Sequence, residues 1–414
     1  MRKKIVVRGP VLSQSGYGEQ ARFAVRSLRA HEDKFDIFIV PVGWGQTGWL
    51  SEDNEERRWL DFIIKKTNHF LQNKGTFDIS LQVTIPNEWE PLAPINIGYT
   101  AGIESDKITP QWIEKSRIMD KIIVVSNHAK HGFDNTSYEA TNKKTNEKTT
   151  WKNETPVETV NYAVRNWEST GIDIDLDYDF NFLAVAQWGP RKNMVNTVKW
   201  FVEECFDQEV GLVVKTSVRK NNIMDRSETE RRINTLLKDY KDRKCKVYLL
   251  HGDMTQGEMG ALYEHEKIKC LVSLSHGEGF GLPIFESVCK GLPVMCPEWG
   301  GQLDFLYAPI RSGKKTKNQP LFSRIPYTIG QIQEFARWDG VIPEDSNWCY
   351  PEQQGYKMRL RDMIKKHDKH QKNAKKLQRH VLKEFAHDKQ YEKFSNAILE
   401  VVDTEETNVV KVFG

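Results

Sequence analysis

Glu278 and Glu286 bracket a glycine-flanked apolar turn in the segment HGEGFGLPIFE, residues 276–286. Paired carboxylates around such a turn allow two chemistries. One is acid and nucleophile work on a glycosidic bond, which needs carboxyl groups ~5–9 Å apart. The other is anion binding, with the backbone N–H groups of Gly279, Phe280, Gly281 and Leu282 pointing at the space before a helix. Two carboxylates beside an anion repel it unless each has a different task. Taken singly, Glu286 also fits a helix-start acid complementing the dipole, worth ~0.3–1 kcal/mol, and Glu278 a solvated loop acid.

Cations occur at matching places. In FLAVAQWGPRKNMVNTVKWF, Arg191 and Lys192 follow a turn at Gly189 and Pro190 and precede a helical pattern. Positive charge at a helix N-terminus opposes the dipole, so an anion meant to sit there would explain it. Lys215, just past the run GLVV, is a second candidate, because ligands of such sheets bind outside the carboxyl ends of strands. Near the start, IVVRGPVLSQSGYGEQ reads as strand, loop and a helix beginning near Glu19, with Gly16 and Gly18 giving room for a close approach. Its spacing is not the dinucleotide fingerprint.

Positioning these groups requires strands and helices in alternation, and the chain supplies them. KIVVR, DIFIVP, DISLQV, INIGYT, KIIVVS and VETVNY mark the first half; FLAVAQ, GLVVKT, KVYLL, CLVSLS and PVMC mark the second. Strands apolar on both faces and separated by helical patterns predict parallel sheets covered on both sides, hence an α/β chain of two doubly wound domains. A polar stretch at about 135–155 reads as an exposed excursion of the first domain, which spans 1–170. The second spans 171–390. A helical tail, 391–414, is expected to pack back on the first domain.

The acidic run IDIDLDYD opening the second domain contains overlapping D-x-D patterns, an arrangement that can hold a metal under a diphosphate. It precedes a strand instead of following one, so the linker reading is favoured and no metal site is assigned. With 414 residues, 39% hydrophobic content and 60 basic against 57 acidic residues, the chain is a folded protein whose net charge of +3 is no argument for nucleic-acid binding. Six cysteines without a C-x-x-C pair, no apolar leader and no span of ~18 apolar residues predict a cytoplasmic protein.

EGFGLPIFE resembles the E-x7-E signature of the retaining glycosyltransferases of family 4, which have the GT-B fold of two Rossmann-like domains facing a cleft. SGYGEQAR, IGYTAGIESDKITPQWIEKSRIMDKIIVVSNHAKHGF, GPRKN, GLPVMCPEWGGQLDF and NWCYPEQQGYKMRLRDM are similar to further pieces of that family, in its order. The resemblance implies that Glu286 binds the ribose hydroxyls of a nucleotide-sugar and Glu278 the hydroxyls of the transferred sugar. It gives the sugar and diphosphate to the loop Gly279–Leu282, the leaving diphosphate to Lys192, and a place across the cleft to Gly16. Met254, in LLHGDMTQ, falls near the base. Gln187 stands where relatives usually carry Arg, with Lys215 and Arg191 as candidates to compensate, and Glu104 is the acceptor-side candidate.

The implied reaction moves a hexose-type sugar from a UDP-, GDP- or ADP-sugar to a glycan, lipid or protein, with retention and without metal or cofactor. A lipid acceptor would add peripheral membrane contact. The alternatives are a glycoside hydrolase using Glu278 and Glu286, a non-catalytic sugar-nucleotide-binding protein, and an epimerase on the same fold.

Overall fold

The protein is described from a computed structural model covering residues 2–141, 146–165, 167–313 and 315–412. From the amino end run β1 (Lys3–Gly9), α1 (Gly16–Arg29), β2 (Phe35–Pro41), α2 (Glu55–Gln72), β3 (Ile79–Gln82), β4 (Ile95–Thr100), α3 (Pro110–Ser116), β5 (Lys121–Val124), α4 (Asn127–Asn135), β6 (Ser137–Thr141), β7 (Lys148–Lys152) and β8 (Val157–Thr159). There follow β9 (Asn181–Val185), α5 (Met194–Cys205), β10 (Gly211–Lys215), α6 (Ile223–Leu237), β11 (Lys246–Leu250), α7 (Gln256–Glu264), β12 (Ile268–Val272), α8 (Leu282–Cys289), β13 (Val294–Pro297), α9 (Leu303–Leu306), β14 (Tyr307–Ser312), β15 (Lys315–Pro320), β16 (Ser323–Ile325), β17 (Tyr327–Gln331), β18 (Asn347–Pro351), α10 (Gln353–Lys365), α11 (His367–Glu384) and α12 (His387–Val412).

Two six-stranded sheets result, ordered β2-β1-β3-β4-β5-β8 and β11-β10-β9-β12-β13-β16. Every neighbouring pair in them is parallel. The second sheet has the Rossmann order 3-2-1-4-5-6 and reverses direction between β9 and β12; the first reverses between β1 and β3. Such reversals open a crevice at the strands' carboxyl ends, where ligands of doubly wound sheets bind. The loop after β1 leads into α1 at Gly16, and the loops after β9 and β12 carry Arg191 with Lys192, and Glu278.

The strands form where the apolar runs predict them because both sheet faces are covered. β3, β5 and β13 are buried at every position, and each Val, Ile or Leu so buried contributes roughly 1.5–3 kcal/mol. Phe182 and Ala184 of β9 meet Val198 and Phe201 of α5, with Tyr356 and Leu360 of α10 in the same cluster. Trp89, Trp112, Ile122, Val124 and Phe133 form a core cluster in the first half.

The chain divides into two compact units: unit 1 is 1–163, 337–346 and 385–414, and unit 2 is 164–336 and 347–384. The division falls between Ala163 and Val164, not at 170, and the segments 337–346 and 385–390, expected in the second domain, return to unit 1. Composition carries no trace of such a return, which depends on which apolar face α12 covers. Phe394, at 0% exposure, lies 5.0 Å from the Tyr99 ring and 5.5 Å from Phe23. The polar excursion contains the antiparallel pair β6–β7, anchored where the Tyr138 hydroxyl donates to Ile108 O at 2.6 Å. In IDIDLDYD the aspartates at 173, 175, 177 and 179 are exposed and Leu176 is buried, while Asp177 pairs with Lys246 at 2.6 Å.

Candidate functional site

Unit 2 builds one charged group from two loops. After β9, Gly189 and Pro190 turn the chain, and Asn193 adopts a left-handed conformation (φ 52°) to start α5. Asparagine tolerates that region better than most side chains, which accounts for the N of GPRKN. After β12, residues 274–280 are buried without a break. The two loops are tied together: His276 N donates to Arg191 O at 2.8 Å, and Arg191 Nη1 donates to Gly277 O at 2.6 Å.

The result is a carboxylate between two cations. Lys192 Nζ donates to Glu278 Oε1 at 2.6 Å and Arg191 Nη1 to Glu278 Oε2 at 3.2 Å. Burial alone would raise the Glu278 carboxyl, but the charges of Lys192 and Arg191 overcome it and hold the group at about 2. Arg191 and Lys192 thus lie side by side at the mouth of a parallel sheet, a placement that suits an incoming anion.

The loop backbone is fixed by contacts that make its glycines necessary. Gly281 has φ +88° at the N-cap of α8, and Gly300 has φ +113°. A Cβ on Gly300 would press on the Glu278 backbone at 3.2 and 3.3 Å, and Gly301 N donates to Glu278 O at 2.7 Å. Phe280 points into the core, with ring centroids 5.1 Å from Phe285 and 4.9 Å from Phe305. Only its backbone is therefore available to a ligand. Leu282 opens the helix, with Pro283 in its first turn. The buried His276 ring lies nearly parallel to Trp348 at 4.9 Å, and its Nδ1 is 2.6 Å from Cys349 O.

Glu286 occupies the second turn of α8 with partners of its own. The Tyr263 hydroxyl donates to Oε2 at 3.0 Å and Arg165 Nη1 to Oε1 at 3.4 Å. Tyr263 is 1% exposed, and burial together with the Glu286 charge pushes its phenol well up, so it donates as a neutral hydroxyl. Neither residue was singled out from sequence. Arg165 sits in the connection VNYAVRN and Tyr263 in ALYEHEK, and no spacing rule links either to position 286.

The remaining candidates lie elsewhere. The Lys215 ammonium donates to Gly252 O, and burial lowers its pKa. Met254 is partly exposed on the loop between β11 and α7, and Gln187 is exposed, with Nε2 donating to Val218 O at 3.2 Å. In unit 1, α1 begins at Gly16, three residues before Glu19, because Ser15 caps it by accepting from Gly18 N at 3.0 Å. Space around Gly16 is open, whereas a Cβ on Gly18 would come within 1.9 Å of Ser13 O. Glu104 is half-buried on the loop after β4.

No protein-family model matches the chain, and no curated protein matches its sequence. Solved structures do match its shape. HepE of Anabaena, in complex with UDP and glucose, is 11% identical with a TM-score of 0.61 over 96% of this chain and 100% of that one. Sucrose-phosphate synthase of Thermosynechococcus elongatus is 12% identical, with a TM-score of 0.62 over 97% and 100%. A glycosyltransferase of Rickettsia africae is 13% identical, with a TM-score of 0.62 over 97% and 99%. The chain shares their GT-B fold of two Rossmann-like units.

Proposed function

We propose that this protein transfers a hexose-type sugar from a nucleoside-diphosphate sugar to a carbohydrate-bearing acceptor with retention at the anomeric carbon. The observation that carries this reading is the grouping of Arg191, Lys192 and Glu278 on the two loops that flank the reversal point of the unit 2 sheet. A diphosphate arriving there would compete for Lys192, while Arg191 stays on Glu278. Glu278 then accepts from sugar hydroxyls, and Glu286, oriented by Tyr263 and Arg165, accepts from the ribose.

In the reaction the bond from the anomeric carbon to the β-phosphate oxygen breaks and the acceptor oxygen bonds to the same face. The acceptor's proton passes to the leaving phosphate. Lys192 and the amides of 279–282 stabilise the charge that develops on that phosphate, the effect that commonly lowers such barriers most. The resemblance to family 4 supports retention, and it assigns no cofactor besides the UDP-, GDP- or ADP-sugar itself. Buried, unpaired cysteines at six positions support a reducing, cytoplasmic setting. Among the described residues no helix is long and apolar enough to cross a membrane.

The hydrolase alternative fares worse. A general acid needs a raised pKa, and two cations hold Glu278 at about 2, which removes it as the acid, while Glu286 is engaged by Arg165 and Tyr263. UDP-sugars are the first probes, since HepE has been solved with UDP-glucose. In calorimetry with a panel of nucleotide-sugars, Glu286→Ala should abolish donor binding, and Lys192→Ala should bind donor but turn over roughly 10²–10³-fold more slowly. Unchanged donor affinity in Glu286→Ala would remove the ribose assignment.

A further inference from the structure

We propose that unit 1 carries a saccharide-binding platform, made by Trp44 and Trp49 on the loop after β2 together with Tyr17 and Glu104, and that it holds the sugar of the acceptor. Naming that sugar an acceptor rests on the glycosyl-transfer reading; the platform itself does not.

The loop VGWGQTGWL, residues 42–50, is stitched to the loop after β1. Gln14 N donates to Gly48 O and Leu50 N to Leu12 O, both at 2.9 Å, and Ser13 forms an antiparallel bridge with Trp49. Ser13 Oγ lies 2.7 Å from Thr47 Oγ1, which donates to Trp44 O at 2.9 Å. A fixed backbone thus holds Trp49 at 63% exposure, whereas Trp89, Trp112 and Trp348 are exposed by no more than 1%. An indole left in water forgoes much of a burial that aromatic side chains usually complete at 150–250 Å² each, roughly 25 cal/mol per Å².

The neighbours indicate the ligand. Trp44 packs on Tyr17 with centroids 4.3 Å apart and planes at 35°, and the Tyr17 hydroxyl is 2.8 Å from Thr100 Oγ1. Burial, and the nearby charge of Glu104, push the Tyr17 phenol above its ordinary range. Around the indoles, Gly43, Gly45, Gln46, Ser51, Glu52 and Asp53 are exposed. A protein partner would ask for a contiguous apolar patch of several hundred Å², and this one is broken by polar residues. A phosphate would ask for cations to bind it, but the two arginines beside the loop are engaged within the protein, Arg57 with Leu50 O and Asp61 and Arg58 with Asp53. A pyranose meets both conditions: its C–H face carries positive partial charge toward the negative face of an aromatic ring, and its hydroxyls can donate to Glu104.

The test is ¹⁹F NMR of the full chain labelled with 5-fluorotryptophan, with Trp44→Phe and Trp49→Phe assigning the two signals. Methyl glycosides of glucose, galactose, mannose and N-acetylglucosamine are titrated, and UDP-glucose binding is followed separately by calorimetry. At least one glycoside should shift both signals, and Trp49→Ala should weaken it about tenfold, as loss of a stacked ring would. Thermal unfolding and UDP-glucose affinity should stay unchanged in that variant, and Trp49→Tyr should recover part of the loss. Signals unmoved by all four glycosides, or a glycoside whose affinity Trp49→Ala leaves intact, overturn the platform. Glycoside shifts without binding of any nucleotide-sugar would instead sink the transferase reading and leave a saccharide-binding site.

Discussion

Glu278 is the most constrained carboxylate of the proposed donor site. Its ordinary value is 4.5, and Lys192 and Arg191 lower it to about 2 against the effect of burial. A depressed folded-state pKa contributes stability above the unfolded value that is lost as pH falls toward the folded one, here from about 4.5 to about 2. The contribution is of order 3 kcal/mol. Glu278→Gln should therefore flatten the pH dependence of thermal unfolding between pH 5 and 2, measured beside the wild type. Tyr263 is a positioning residue in this scheme, since it touches Glu286 and not the substrate. Tyr263→Phe removes a hydrogen bond to a charged group, worth ~1.5–3 kcal/mol, so the donor Kd should rise roughly ten- to hundredfold with kcat little changed. An equal fall in kcat would give Tyr263 a different role.

The loop–helix junctions show how local rules place these residues. Ser15 caps α1 and Gly281 starts α8 in a left-handed conformation, so each loop leads into a helix N-terminus at a strand's carboxyl edge. The two glycines of SGYG have separate tasks. Gly18→Ala would drive a Cβ into Ser13 O and should destabilise unit 1 by several kcal/mol, as overpacking against backbone does. Gly16→Ala meets nothing within 4 Å and should leave Tm unchanged; if Gly16 serves the donor phosphates, turnover alone will fall. Circular dichroism melts and turnover of the two variants, read together, separate these roles. A Gly18→Ala protein that melts with the wild type would show that the loop relaxes freely.

The two units differ in how the chain closes them. Unit 1 is completed by α12, whose Phe394, Ala397, Ile398 and Val402 are buried and whose Ser395 Oγ is 3.0 Å from His31 Nδ1 on the loop after α1. Lys121 of β5 pairs with Glu400 of the same helix at 2.7 Å. Phe394→Ala should cost about 3–5 kcal/mol. Because that loss falls on one unit, denaturant unfolding should show unit 1 released first, with the tryptophans of unit 2 still protected. A single transition shifted as a whole would mean that the units unfold together.

Much of this architecture was legible in the amino-acid order. Strands of parallel sheets are buried on both faces, so KIIV and VMCP announce themselves as apolar runs whatever surrounds them. The turns at Gly281 and in GPRKN were legible because a turn and a helix start need particular residues at adjacent positions. What the order of residues could not supply was anything joined across long separations. The pairing of Glu286 with Tyr263 and Arg165, the tie from His276 to Cys349, and the grouping of 337–346 with the first unit depend on which surfaces meet after folding. Local composition determines secondary structure through burial and backbone preference over a few residues. Partners 23, 121 or 73 positions apart are selected by the packing of the whole unit, and only the tertiary structure decides them.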